Sequence, residues 1–158
     1  MRRKDREMDR DFALMVLDTC EYAVLATVGP DQTPSCIPLT IVRDGDFLYF
    51  HCAPQGQKIQ YLRQNPRVCL TAVGHTCIQP DAFTTAYQSA VVWGTAEEVT
   101  TDQEKIQALR LLCQRHVPTN MAHFEKAISD SLFRTAVWKI QMETVTGKSK
   151  QYNVKFKK

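Results

Sequence analysis

The chain has 158 residues, enough for one domain with a real core, and at 44% hydrophobic and 23% charged it has the composition of an ordinary globular protein. The formal charge of +3 sits in the ends: residues 1–10 carry +2 and residues 148–158 carry +5, which leaves −4 on the body between them. That disfavours a nucleic-acid-binding protein, which needs its basic residues on the fold itself, and no apolar run approaches the roughly 20 residues of a membrane span.

The opening MRRKDREMDRD is charged and has no apolar stretch of the kind a secretory leader needs, so a cytoplasmic protein is expected. A single domain over 1–158 is expected, with 1–8 and 149–158 as flexible tails. The six cysteines (Cys20, Cys36, Cys52, Cys69, Cys77 and Cys113) contain no C-x-x-C pair and lack histidine partners at zinc spacing. They read as free thiols, and no metal site is expected.

Asp9 to Cys20 predicts a helix, capped by Asp9 or Asp11, with Phe12, Met15, Val16 and Cys20 near one face. Tyr22 to Val28 is β-rich and ends in a turn at Gly29-Pro30-Asp31. Ser35 to Val42 predicts a second strand with Pro38 inside it. A proline there marks either a plain edge strand or a gap in the ladder where a ligand meets free backbone groups. Arg43-Asp44-Gly45-Asp46 carries the Asp-Gly hairpin signal.

The stretch Phe47 to Pro66 is the most informative. Phe47-Leu48-Tyr49-Phe50 and Cys52 predict a strand, Ala53-Pro54-Gln55-Gly56 a loop, and Ile59 and Leu62 a short helix that ends before Pro66. Lys58 lies in the first turn, where a cation opposes the helix dipole. An anion seated between Lys58 and the free N–H groups of that turn removes the conflict. A lysine in solvent on an ordinary strand-to-helix turn is the plainer alternative.

Arg67 to Val73 predicts a fourth strand, Gly74 to Ala86 an irregular segment, and Tyr87 to Val99 a long strand. Gly94 in that strand marks a bulge or a close approach by other backbone or a ligand. Thr101-Asp102-Gln103-Glu104 has the capping-box pattern and opens a helix to about Arg115, with Ile106, Leu109, Leu112 and Cys113 inward. Pro118 ends it. Met121 to Leu132 predicts another helix, Thr135 to Met142 a last strand, and Gly147 onward a tail. About six short strands with hairpin connections and a helix pair before the last strand predict a small antiparallel barrel, mainly β with flanking helices.

Other candidate chemistry is thin. His51 and Cys52 are adjacent on a strand, point to opposite faces and cannot act as a nucleophile pair. His75 and Cys77 share a face, but two ligands do not make a metal site. His116 and His123, near helix ends, are expected in solvent. Tyr87 and Trp93 share a face and read as core or dimer-interface aromatics. No dinucleotide-binding or P-loop glycine motif is present.

Taken together, CEYAVLATV, PSCIPLTIV, DGDFLYFHCAPQGQKIQYLRQNPRVCLTAVG, FTTAYQSAVVWGTAEEV and LFRTAVWKIQMETVTGK resemble the pyridoxamine 5′-phosphate oxidase-like flavoproteins, from about Asp11 to Lys148. The pattern is most similar to the branch that includes the Nim 5-nitroimidazole resistance proteins. The resemblance implies an antiparallel split β-barrel and a homodimer with FMN at the interface. By position it implies the flavin ring against Leu25, Ala26 and Thr27, with the backbone of Pro38, Leu39 and Thr40 at the ring edge. It gives the phosphate to His51, Cys52 and Lys58, and reaches the partner's flavin with Tyr87 and Ser89. Many relatives have Ser where this chain has Cys52, a weaker donor, and the fuller arginine clamp of true pyridoxamine phosphate oxidases is missing.

The activity implied is an FMN-dependent oxidoreductase acting on a small molecule, a nitroimidazole or other nitroaromatic among the candidates, with His51 as the best group for proton traffic. The alternatives are a non-catalytic flavin-binding or sensing module, or the same barrel holding haem or a deazaflavin.

Overall fold

The computed structural model describes residues 2–151. Its elements in chain order are β1 (Glu7–Met8), α1 (Arg10–Thr19), β2 (Ala23–Val28), β3 (Pro34–Leu39), β4 (Val42–Asp44), β5 (Phe47–Cys52) and α2 (Gln57–Gln64). They continue with β6 (Arg67–Gln79), β7 (Thr84–Glu98), α3 (Asp102–His116), α4 (Phe124–Ser131) and β8 (Ala136–Lys150). The strands form one eight-stranded antiparallel sheet in the order β3-β2-β6-β7-β8-β5-β4, with β1 added beside β8.

That order contains the reason for the barrel. β3 and β4 are the two ends of the path, yet only Thr40 and Ile41 separate them in the chain. The three steps from Leu39 to Val42 span at most about 11 Å, so the sheet must curl until its ends nearly meet. They do not pair, and the barrel stays split at Thr40–Ile41. The second strand expected over Ser35 to Val42 is therefore two strands on opposite edges. Pro38 lies inside β3, an edge strand that pairs on one side only, where a proline is tolerated.

Inward-facing residues of β2, Ala23 and Leu25, join Leu70, Ala72, Ala90, Val92, Phe50 and Ile140 in a core that α1 closes with Ala13, Val16 and Leu17. Asp9 caps α1 by accepting the Phe12 N–H at 2.8 Å. Outside the barrel, α3 and α4 cover Val42, Tyr49 and Val137 through Ala108, Leu109, Leu112 and Phe124, while Ile106 and Cys113 pack half-buried beside them. Thr101 caps α3 as expected.

Three stretches depart from the sequence expectation. Residues 74–79, expected to be irregular, continue β6, and Thr84–Ala86 begin β7; the pairing shifts register between Val73 and Thr76. This hairpin arm has His75, Thr76, Cys77 and Ile78 all exposed, so it has no inward face to write a period into the sequence. β8 runs on past Met142 to Lys150, and Glu7 and Met8 pair with Lys148 and Gly147, so these parts of the expected tails lie in the sheet. Residues 152–158 of the expected tail lie outside the described residues. The helix expected from Met121 begins at Phe124, after a tighter 3₁₀ turn over Pro118–His123.

Gly94 sits at a register shift between β7 and β8, where a Cβ would stand 2.1 Å from the Gln141 carbonyl oxygen. The expected bulge and close backbone approach are therefore the same feature.

Candidate functional site

The loop after β5 delivers the chain into α2 through Gly56, whose φ of 130° is a conformation side chains disfavour. α2 then packs by burying Ile59 and Leu62. Arg63 ties it to Glu98 of β7 at 2.9 Å, and the ring of Tyr61 closes over Gly29 at the end of β2. A Cβ on Gly29 would fall 2.8 Å from that ring. These contacts hold α2 against the ends of β2 and β7, and the short loop from β5 sets its start.

At this start no side chain caps the helix and its first turn holds no acid. Lys58 stands with its ammonium 5.5 Å from the Phe50 ring centre, and among the described residues it has no carboxylate partner. Cys52 is half-buried; burial pushes its thiol pKa up, and the charge and hydrogen bond of Lys58 draw it partly back. Crowding by surrounding protein lowers the His51 pKa, and the charges of Lys58 and His116 lower it further. Cys52 and Lys58 thus meet at an uncapped helix start, and His51, on the other face of β5, feels the Lys58 charge from there; Glu98, the nearby acid, is paired with Arg63.

The residues expected at a flavin ring divide by face. Leu25 is fully buried and Thr27 is 3% exposed, so both side chains belong to the barrel interior and can offer a ligand only their backbone. Ala26 points outward, between Cys36 on β3 and Cys69 on β6, and presents a small, flat patch. Pro38 and Thr40 are exposed and Leu39 is half-buried, at the edge where the barrel is split.

Tyr87 and Ser89 are not at the Lys58 mouth of their own chain. Tyr87 pairs with Thr76 and Lys150, whereas Phe50 shares its rung with Trp138 and Glu98. Some eleven residues of β7 intervene, about 35 Å along an extended strand. A cavity of about 650 Å³ beside the end of α1 is lined by Tyr22, Val24, Thr71, Val73 and Gln88 among others, and by none of the expected flavin residues.

Sequence reasoning missed Arg115 and His116. Arg115 donates to the Ile41 carbonyl at 2.9 Å and to the Cys20 carbonyl at 2.7 Å, and the His116 Nε2 lies 2.9 Å from the Ile41 carbonyl. The structure therefore corrects the placement of His116 in solvent. Ile41 lies in the unpaired link between the two edges, so its carbonyl has no ladder partner, and the end of α3 supplies one. The only sequence signal was an Arg-His pair at a helix C-terminus, which is common for dipole reasons alone.

Residues 9–149 match the family described as pyridoxamine 5′-phosphate oxidase. The chain belongs to that family. An uncharacterized protein of Rhizobium meliloti is 34% identical over 111 residues, 68% of each chain. Among solved structures, a candidate 5-nitroimidazole antibiotic resistance protein from Bacteroides thetaiotaomicron superposes with a TM-score of 0.76 at 21% identity, covering 90% of this chain and 86% of that one. An FAD and haem binding protein from Mycobacterium smegmatis gives 0.81 at 21% identity, covering 93% and 74%. The split barrel is the shared fold. In this pyridoxamine 5′-phosphate oxidase family member, no helix of the described residues is long and apolar enough to cross a membrane.

Proposed function

We propose that this protein binds FMN between two copies of itself and acts as an oxidoreductase on small electrophilic molecules, nitroaromatic compounds among them. The observation that carries the proposal is the uncapped start of α2 with Lys58 at its mouth and no acid in its first turn. A phosphate monoester complements that helix start in charge and in hydrogen bonding. The donor set fits: Lys58, the first-turn N–H groups of α2 and, when protonated, His51. Cys52 adds a weak thiol donor.

Bound flavin supplies the electron transfer; the chain's part is position and environment. Lys58 anchors one end of the ligand. Ala26 leaves room for a planar ring where a larger side chain would exclude it. Thr40 and Leu39, at the split, present backbone groups at the ring edge, and Arg115 and His116 fix the link they belong to. His51, held toward the neutral imidazole, is able to accept a proton at neutral pH.

A second copy is supported by apolar surface on one side of the sheet: Tyr22, Val73, Ile78 and Trp93 are all exposed. It would also supply a Tyr87 and a Ser89 to a site their own chain cannot reach. The test is the visible spectrum of the purified protein followed by FMN titration and a sedimentation measurement. Flavin bands released on denaturation, with one FMN per chain of a dimer, are the expected result. A colourless monomer that takes up no FMN would refute the proposal.

A further inference from the structure

A second group of cations lies away from Lys58, where β1 joins β8 beside β7. Arg3, Lys4, Arg6, Lys148 and Lys150 gather there. The nearby acids are already engaged. Asp5 takes the Arg3 Nε at 2.7 Å, Glu7 takes Lys4 at 2.9 Å, and Asp9 caps α1. Arg6 reaches no closer than 3.9 Å to Asp5.

Among the described residues, Arg6, Lys148 and Lys150 are therefore left mainly with hydroxyls. The Lys148 ammonium stands 5.8 Å from the Tyr87 ring centre, and Lys150 donates to the Thr84 hydroxyl. Burial works to raise the Tyr87 phenol pKa, but hydrogen bonds and charge from Lys148 and Arg6 outweigh it and bring it below the ordinary value. A neutral hydroxyl is a poor partner for an ammonium or guanidinium; an oxyanion makes bonds about twice as strong.

The surroundings have room for one. A cavity of about 370 Å³ on the Tyr87 side and one of about 500 Å³ on the Arg6 side share Ser149, Lys150 and Gln151 as a common wall. Two spaces meeting at Lys150, one walled by Arg6 and the other by Tyr87 with Lys148 beside its ring, suit two linked phosphates better than one. Lys148 also lies directly opposite Ser89 in register, next to a residue expected at the partner's flavin.

We propose that Arg6, Tyr87, Lys148 and Lys150 form a subsite for the diphosphate of a nucleotide. The assignment to a nucleotide rests on the flavin function proposed above; the anion subsite itself does not. The diphosphate belongs either to a dinucleotide flavin or to a nicotinamide dinucleotide that donates electrons.

The test is a calorimetric titration of inorganic pyrophosphate into the full chain, as wild type, Arg6→Gln and Lys148→Gln. Wild type is expected to bind, and each variant to bind about tenfold more weakly at unchanged melting temperature. No binding by wild type, or equal binding by all three, would overturn the subsite. Arg6 sits in a short turn near the chain start, so its variant remains informative should Lys148→Gln misfold. FAD, FMN and NADH titrated into the same proteins then name the source. FAD weakened with FMN unchanged supports the flavin's own diphosphate, and NADH weakened with FAD unchanged supports the donor. If neither weakens, the nucleotide assignment fails. Failure of the flavin proposal itself looks different: FMN does not bind wild type while pyrophosphate still does.

Discussion

Lys58→Gln separates a ligand-binding role from a structural one, because the two differ in expected size. In the apo protein, Lys58 opposes the dipole of α2, a penalty of about 0.3–1 kcal/mol at a helix start. Its contact with the Phe50 ring, at 5.5 Å in a half-buried position, returns about 0.5–1 kcal/mol. These nearly cancel, so the melting temperature of the apo variant should move by only a few degrees. Binding is another matter. A charge-assisted hydrogen bond to a phosphate contributes about 1.5–3 kcal/mol, which converts to a loss of roughly ten- to 150-fold in FMN affinity. Riboflavin, which lacks the phosphate, is the internal control, and wild type and variant should bind it equally. The assay is quenching of flavin fluorescence for both ligands. An FMN affinity unchanged in Lys58→Gln, or a riboflavin affinity that falls as far as that of FMN, would refute the phosphate seat.

Other expectations follow from the same geometry. Cys52→Ser replaces a weak donor with a better one and should tighten FMN binding by about two- to tenfold in the same titration. Crowding by surrounding protein holds the His51 pKa below the ordinary imidazole value of about 6.5, so in the apo protein it resists protonation. Unfolded chain takes up the proton first as pH falls, so stability declines from about pH 6.5 down to the lowered value, and His51→Gln should flatten that limb of a denaturation-versus-pH curve. Bound phosphate should raise the His51 pKa, readable as a shift in its imidazole NMR titration. Gly94→Ala drives a methyl to 2.1 Å from the Gln141 carbonyl and should cost about 1–3 kcal/mol or more in urea denaturation, with no ligand present. Leu25→Ala should cost about 2–5 kcal/mol in the same assay while the folded fraction keeps its FMN affinity, whereas Ala26→Leu should do the reverse.

The contrast between Leu25 and Ala26 shows how far the sequence could be read. The β-rich composition of Tyr22 to Val28 predicts a strand correctly, but not which of its faces meets the core, since apolar residues occupy both. Only the burial of Leu25 with Leu70 in the barrel core decides it. The Lys58 mouth was legible because the conflict between a cation and a helix start is local and needs no tertiary information. The hairpin arm at 74–86 was not, because strands exposed on both faces carry no hydrophobic period. Arg115 was invisible for a further reason. Its partners are backbone carbonyls at Cys20 and Ile41, which leave no mark on side-chain identity anywhere in the chain.

Those two carbonyls bear on why the barrel is split where it is. Thr40 and Ile41 join the opposite edges of the sheet, so neither edge can supply their backbone partners. A closed barrel would satisfy them by pairing β3 with β4 and would leave no opening. Here the polar groups of the link divide: the Ile41 carbonyl is taken by Arg115 and His116, while Ile41 itself is fully buried and Thr40 is left exposed. Removing the guanidinium leaves two part-buried carbonyls without their strongest donor, so Arg115→Met should cost about 1–3 kcal/mol. If the link only holds the fold, FMN affinity of the folded variant stays at the wild-type value. If it also presents Thr40 to the flavin edge, as proposed, the affinity falls and the visible band of the bound flavin shifts, while Arg115→Lys, which keeps one donor, recovers part of both. A destabilised variant with unaltered affinity and spectrum would confine Arg115 to folding and remove Thr40 from the site.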